Sequence, residues 1–103
     1  MDRIVAFAAT RDGLYVLKGD FSLWFRRHAV DSKRSLWLPT AWSGQIGPSD
    51  SAYSPTNFEM LTAAVGHDNR PILYALSSTG RFWRGMPLTE APEHIVWVGV
   101  PAP

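Results

Sequence analysis

The stretch PILYALSSTGRFWR, residues 71–84, predicts a complete β-hairpin, because two apolar runs flank a short polar segment that contains Gly80. A similar stretch occurs earlier in the chain. A shift of 59 positions superposes four identical pairs: Leu73/Leu14, Tyr74/Tyr15, Leu76/Leu17 and Trp83/Trp24. Two further pairs, Ala75/Val16 and Phe82/Leu23, keep apolar character. We infer an internal duplication.

Each hairpin extends into a unit of four predicted strands. In the first unit, the runs are residues 4–9, 14–18, 22–27 and 36–38, with Gly19 and Asp20 expected to form the tight turn because Phe21 stands where the second copy has Gly80. The apolar run 4–9 is expected to be buried on both faces. Pro39 is expected to end the unit, since proline cannot donate to a ladder.

The second unit begins with the run 60–65, where Ala63-Ala64 matches Ala8-Ala9 at an offset of 55. The turn that follows is expected to be about four residues longer than its counterpart. After the hairpin, residues 85–93 are expected to form a loop. The last strand is expected at 95–100, where Trp97 matches Trp37 at an offset of 60.

The segment between the units is rich in Ser, Gly and Pro, which is typical of a connection rather than a ladder. The sequence therefore predicts one all-β domain over residues 1–103. Repeat 1 covers about 3–39, the connection 40–57, and repeat 2 about 58–101. Each repeat is expected to be a four-stranded antiparallel sheet.

Composition limits the classes of function. Apolar residues make up 46% of the chain and charged residues 18%, so the chain should fold around a core. The net charge of +1 supplies no overall field for nucleic acid or an acidic membrane. The chain has no Cys, and its N-terminal apolar run is shorter than a signal-peptide core, which together favour a cytoplasmic protein without membrane contact.

The motif Leu-Tyr-Ala-Leu-x-x-x-Gly-x-x-Trp-Arg at 73–84, followed by the Trp-containing segment 97–101, resembles the blade repeat of β-propeller proteins, particularly the short blades of tachylectin-like and tectonin-type propellers. Two blades cannot close a ring. The resemblance thus implies a homo-oligomer, of which a trimer with six blades is the simplest closed case. The alternative is that the two sheets pack on each other as a small sandwich or open barrel.

The aromatic residues at equivalent repeat positions, Trp24, Trp37, Trp83 and Trp97, are expected to be structural core. Trp42 and Tyr53 have no repeat partner and lie in the connection, where aromatic side chains either pin the loop or contact a ligand. Together with nearby Arg26, His28 and Arg84 they are the candidate ligand-binding residues.

The segment 26–34 is basic and flanked by tryptophans, a pairing used for single-stranded nucleic acid. A solvated loop that protects an edge strand is the favoured interpretation. The three His are scattered, and no nucleophile elbow, zinc-protease motif or phosphate loop is present. We therefore expect no enzyme activity, no catalytic or metal-binding residues and no cofactor.

The leading hypothesis is a non-catalytic binding module, and the resemblance to lectin propellers implies that its ligand is a glycan or another small molecule. The alternative is an assembly or adaptor subunit whose function is the protein–protein contact itself, made through β-sheet edges. Binding of nucleic acid through the basic segment is a third and less favoured hypothesis.

Overall fold

The computed structural model describes residues 3–28, 36–42 and 57–101, and in these ranges the chain is all-β, without a helix. Nine strands are present: β1 (Ile4–Ala9), β2 (Gly13–Lys18), β3 (Leu23–Arg27), β4 (Leu38–Pro39), β5 (Ala41–Trp42), β6 (Phe58–Val65), β7 (Pro71–Ser77), β8 (Phe82–Pro87) and β9 (His94–Val100). The described part of the chain accordingly offers no helix of membrane-spanning length and hydropathy.

Repeat 1 forms one antiparallel sheet in the order β1-β2-β3-β4, and repeat 2 forms a second with the order β9-β8-β7-β6. The prediction of two four-stranded antiparallel sheets is therefore confirmed. β5 adds a fifth strand to the second sheet, because Ala41 and Trp42 pair in parallel with His94 and Ile95 of β9.

Several predictions within the strands need correction. Residues 41–42 are a strand, although the whole segment 40–57 was expected to be a connection. β8 continues to Pro87, so the predicted loop starts later. Pro39 lies within β4 opposite Trp24, where a missing N–H is tolerated because β4 is an edge strand.

β1 is not buried on both faces, as its continuous apolar run suggested. Ala8 is buried, but Ile4, Val5 and Phe7 are exposed. The apolar run therefore belongs to a strand with one face toward the core and exposed side chains on the other.

The core lies between the two sheets and combines side chains of both repeats. β1 and β2 lie against β6 at this interface. One buried hydrogen bond crosses between the repeats: the Tyr15 hydroxyl donates to the Pro92 carbonyl at 2.5 Å. Burial raises the pKa of the Tyr15 phenol well above its usual 10.0, and the negative charges of Asp12 and Glu93 add to the effect. The two repeats thus share one interior.

Candidate functional site

The two repeats have the same pairing register, as an internal duplication requires. Val16 pairs with Trp24 in repeat 1, and Ala75 pairs with Trp83 at the positions 59 residues later. The first strands share a further irregularity, since β1 has a register shift between Ile4 and Ala6 and β6 has one between Phe58 and Met60.

The register also corrects the alignment of the first strands. Ala9 pairs with Leu14, and Ala63 pairs with Leu73, so Ala63 corresponds to Ala9 at an offset of 54 rather than 55. The turn in repeat 2 is therefore five residues longer than its counterpart. In the last strands, Pro39 opposite Trp24 and Gly99 opposite Trp83 give the predicted offset of 60.

The two repeats bury opposite faces of this common sheet. We call the face toward the other repeat the inward face and its reverse the outward face. Neighbouring strand residues point to opposite faces, and paired residues point to the same one. In repeat 1 the inward face carries Ala6, Ala8, Tyr15, Leu17, Leu23 and Phe25. In repeat 2 it carries Phe58, Leu61, Ala63, Leu73, Ala75, Trp83, Ile95 and Trp97.

Equivalent residues consequently have contrasting environments. Tyr15 is 0% exposed, but its counterpart Tyr74 is 36% exposed. Trp97 is 2% exposed, whereas Trp37 is 41% exposed. The inward face of repeat 1 and the inward face of repeat 2 are thus opposite faces of equivalent sheets. The equivalent of each buried face therefore remains on the surface, as the outward face of the other repeat.

The outward face of repeat 1 is an aromatic surface with two cations. A cleft of about 320 Å³ is lined by Ile4, Val16, Lys18, Trp24 and Trp37. The Lys18 ammonium lies 5.4 Å from the Trp24 ring centre, and the Arg26 guanidinium lies 5.9 Å from that of Trp37. The Trp24 indole N–H donates to Ser22 Oγ at 2.9 Å, which fixes the ring. Such cation–π pairs strengthen when water is excluded from them.

The outward face of repeat 2 is a broader apolar surface. Its exposed members include Met60, Tyr74 and Phe82. The half-buried ones are Ile72, Leu76, Met86, Val96, Val98 and Val100. Arg84 lies among them, opposite Tyr74 and Val98, and is the one charged residue that pairing places on this face in β7, β8 and β9.

Among the described residues, the structure does not bring the predicted ligand-binding side chains Arg26, His28 and Arg84 into one site. Arg26 lies on the outward face of repeat 1 and Arg84 on the outward face of repeat 2, so the core separates them. His28 is exposed just after β3, with its Nε2 atom 2.7 Å from the Thr10 carbonyl oxygen. Trp42 lies in β5 beside β9, and Tyr53 falls outside the described residues. Of the basic segment 26–34, residues 29–34 are likewise outside them.

The four repeated tryptophans divide into two pairs. Trp83 and Trp97 belong to the core, as expected of structural aromatics. Trp24 is half-buried and Trp37 exposed, because no sheet packs on their face among the described residues. The core position expected for Trp37 is therefore not what the structure has.

A sequence signal for the outward faces does exist in the substitutions between the repeats. At an offset of 59, three aligned pairs have a cation in one repeat and an uncharged residue in the other: Lys18/Ser77, Arg26/Gly85 and Arg84/Phe25. In each of these pairs the cation is on an outward face and its uncharged counterpart faces inward. The cation in each of these pairs thus indicates which face of its own sheet lies at the surface.

Clusters of acidic side chains and histidines do not form a metal site in the described segments. A smaller depression of about 200 Å³ lies between the ends of β1 and β6 and is lined by Ala9, Thr10, Arg11, Ala63, Ala64, Val65, Asn69 and Pro71. Its walls are mostly short aliphatic side chains. The outward faces are therefore the candidate functional surfaces. Comparisons with protein-family models, with curated proteins and with solved structures find no match to this chain.

Proposed function

We propose that this protein is a non-catalytic assembly subunit whose function is protein–protein contact made through its outward sheet faces. The observation that carries the proposal is the burial of opposite faces by the two repeats, which leaves one apolar face of each on the surface. Contiguous exposed apolar surface of this kind is characteristic of interaction sites.

The sheet faces support this proposal better than the sheet edges do. The outer edge of repeat 2, at β9, is already paired with β5 at His94 and Ile95, so part of that edge is occupied within the chain. β1 and β6, the first strands of the two sheets, lie against each other at the interface. Side-chain packing on the faces is therefore the mode of contact that we expect.

The experiment is the absolute mass of the purified protein, measured by light scattering across a dilution series without added ligand. We expect a defined multiple of the 11.5 kDa chain mass that persists on dilution. A mass of one chain at every concentration contradicts the proposal, because it would mean that the exposed apolar faces do not associate.

A second candidate function is glycan binding in the cleft of repeat 1. Two indole rings flanked by Lys18 and Arg26 supply flat apolar surfaces and hydrogen-bond donors, which suit a sugar ring. The test is titration of the intrinsic tryptophan fluorescence with neutral and acidic oligosaccharides. Loss of the signal in Trp37→Ala, with the oligomer mass unchanged, would favour this function over assembly.

A further inference from the structure

We infer that the partner on the outward faces is a second copy of this chain, bound head to tail: the outward face of repeat 2 packs on the outward face of repeat 1 of the next copy. This inference rests on the proposed assembly function and specifies its partner and geometry. The contact would continue the interface that already joins the two repeats within one chain.

The first step of the argument is the equivalence of the surfaces. The outward face of repeat 1 presents the same positions that repeat 2 buries. The equivalent pairs, repeat 1 outward and repeat 2 inward, are Ile4/Phe58, Phe7/Leu61, Val16/Ala75, Trp24/Trp83 and Trp37/Trp97. Every member of these five pairs is apolar or aromatic, and two further pairs on the same faces, Lys18/Ser77 and Arg26/Gly85, place a cation where repeat 2 has a small uncharged residue. This face can therefore pack against a partner in the way that repeat 2 packs on repeat 1.

The second step is the reciprocal equivalence. The outward face of repeat 2 presents the positions that repeat 1 buries. These pairs, repeat 2 outward and repeat 1 inward, are Met60/Ala6, Tyr74/Tyr15, Leu76/Leu17, Phe82/Leu23 and Arg84/Phe25. Four of the five keep apolar or aromatic character. One chain thus carries both halves of a second interface of the same kind.

The third step concerns symmetry. An isologous dimer brings the same patch of both subunits together, whereas a head-to-tail contact joins two different patches and repeats from copy to copy. The interface inside the chain already joins different faces of two equivalent sheets. Repetition of that contact closes a ring of copies if the rotation allows it, and otherwise forms a filament.

The experiment separates a head-to-tail contact from every contact between identical faces. Trp37→Asp introduces a charge on the outward face of repeat 1, and Phe82→Asp does so on that of repeat 2. Both side chains are exposed in the single chain, at 41% and 46%, so each variant should fold. Val65→Asp, at an exposed strand end away from both outward faces, is the matched control.

We expect Trp37→Asp alone and Phe82→Asp alone to have the mass of one chain, and Val65→Asp to retain the wild-type mass. An equimolar mixture of the first two should form one-to-one dimers, since each variant retains the face that the other has lost. Native mass spectrometry, with one variant carrying a mass tag, gives the composition. Phe7→Asp and Met60→Asp replace any variant whose circular dichroism shows loss of the fold.

The outcomes distinguish the two proposals. If the wild type is an oligomer but the mixture stays monomeric, or if one variant alone keeps the wild-type mass, the head-to-tail inference is overturned and the assembly function stands. If the wild type itself is monomeric, both are overturned. A one-to-one dimer that appears only in the mixture supports the inference.

Discussion

At the scale of single residues, Trp24 and Trp83 occupy the same repeat position but contribute differently to the free energy of unfolding. Trp83 is buried between the sheets, whereas Trp24 is half-buried on an outward face. The indole N–H of Trp83 has no acceptor among the described residues. Its stabilising effect must therefore come from apolar burial and packing rather than from a hydrogen bond.

We expect Trp83→Ala to lower the free energy of unfolding by about 3–5 kcal/mol, the usual cost of truncating a buried Trp. Trp24→Ala should cost less than half as much, because part of its ring is already in water. Urea unfolding at a concentration where light scattering gives the mass of one chain measures both. Equal losses for the two variants would contradict the assignment of inward and outward faces.

Tyr15 provides a second test at this scale, because its phenol is buried and bonded to the Pro92 carbonyl across the repeats. Tyr15→Phe leaves that carbonyl without its donor and should cost about 1–3 kcal/mol at neutral pH. Tyr74→Phe, at the exposed equivalent position, should cost little. Chemical unfolding at pH 7 gives both values.

The raised pKa of Tyr15 predicts a pH dependence with a definite sign. Since the folded state holds the phenol proton more tightly than the unfolded state, its stabilising effect is complete below the usual pKa of 10.0. Above that pH the unfolded state ionises first, and stability should fall by up to about 1.4 kcal/mol for each pH unit. Tyr15→Phe should lose this contribution and show a flatter alkaline limb. An identical limb in wild type and variant would show that Tyr15 does not control it.

At the scale of elements, the tight turns of the two hairpins are built alike from different residues. In repeat 1, Phe21 N–H donates to the Lys18 carbonyl at 2.9 Å; in repeat 2, Gly80 N–H donates to the Ser77 carbonyl at the same distance. The third residue of each turn has a positive φ, which is 70° for Phe21 and 86° for Gly80. The special conformation in repeat 1 therefore falls on Phe21, and not on Gly19, which was expected to supply the turn.

A positive φ strains every residue that has a Cβ, and glycine avoids this cost. Phe21→Gly should therefore raise the free energy of unfolding by about 1 kcal/mol, and Gly80→Ala should lower it by a similar amount. Thermal unfolding of the two variants beside wild type is the measurement. A destabilised Phe21→Gly would mean that the Phe21 side chain contributes packing that outweighs its backbone strain.

The strands and their order could be predicted from the sequence, because apolar runs, turn residues and the repeat are all local signals. The duplication also makes the pairing of Trp24 with Pro39 equivalent to that of Trp83 with Gly99. β5 could not be predicted in this way. Ala41 and Trp42 form a strand because β9 offers them a backbone edge, which is a tertiary effect that two residues of sequence do not record.

Which sheet faces are exposed could not be predicted from the sequence, and the reason is physical. Tyr15 and Tyr74 are identical residues with identical cross-strand positions, so local sequence assigns them the same environment. Their burial differs because repeat 2 lies on one side of repeat 1 and no third repeat follows within the described chain. Predictions centred on Trp42 and Tyr53 place function in the connection, of which residues 43–56 lie outside the described ranges, so these predictions stay untested.

At the scale of the whole molecule, the two outward faces explain why a chain with two equivalent sheets leaves so much apolar surface exposed. Ile4, Phe7, Trp37, Met60 and Phe82 are each more than 40% exposed, and all lie on these faces. In a single isolated chain this surface is an aggregation hazard. In the proposed head-to-tail assembly the same residues would be buried at the contact between copies.

Arg84 is the residue at which the outward face of repeat 2 departs most from its buried counterpart. Phe25, at the equivalent position, is fully buried, and its ring centre lies 4.7 Å from that of Tyr15. In a head-to-tail contact Arg84 approaches a face that carries Lys18 and Arg26. Repulsion among these cations and desolvation of Arg84 both weaken association.

Arg84→Phe introduces the residue that repeat 1 has beside the equivalent tyrosine. We expect it to lower the dissociation constant of the assembly about tenfold, because an aromatic pair contributes about 0.5–1.5 kcal/mol beyond its burial. Sedimentation velocity over a dilution series measures the change. Arg70→Phe, an exposed arginine in the β6–β7 turn, is the matched control and should leave the constant unchanged. Weaker association of Arg84→Phe would instead show that Arg84 stacks on an aromatic ring of the neighbouring copy, which would keep the head-to-tail contact but reverse the role of this cation within it.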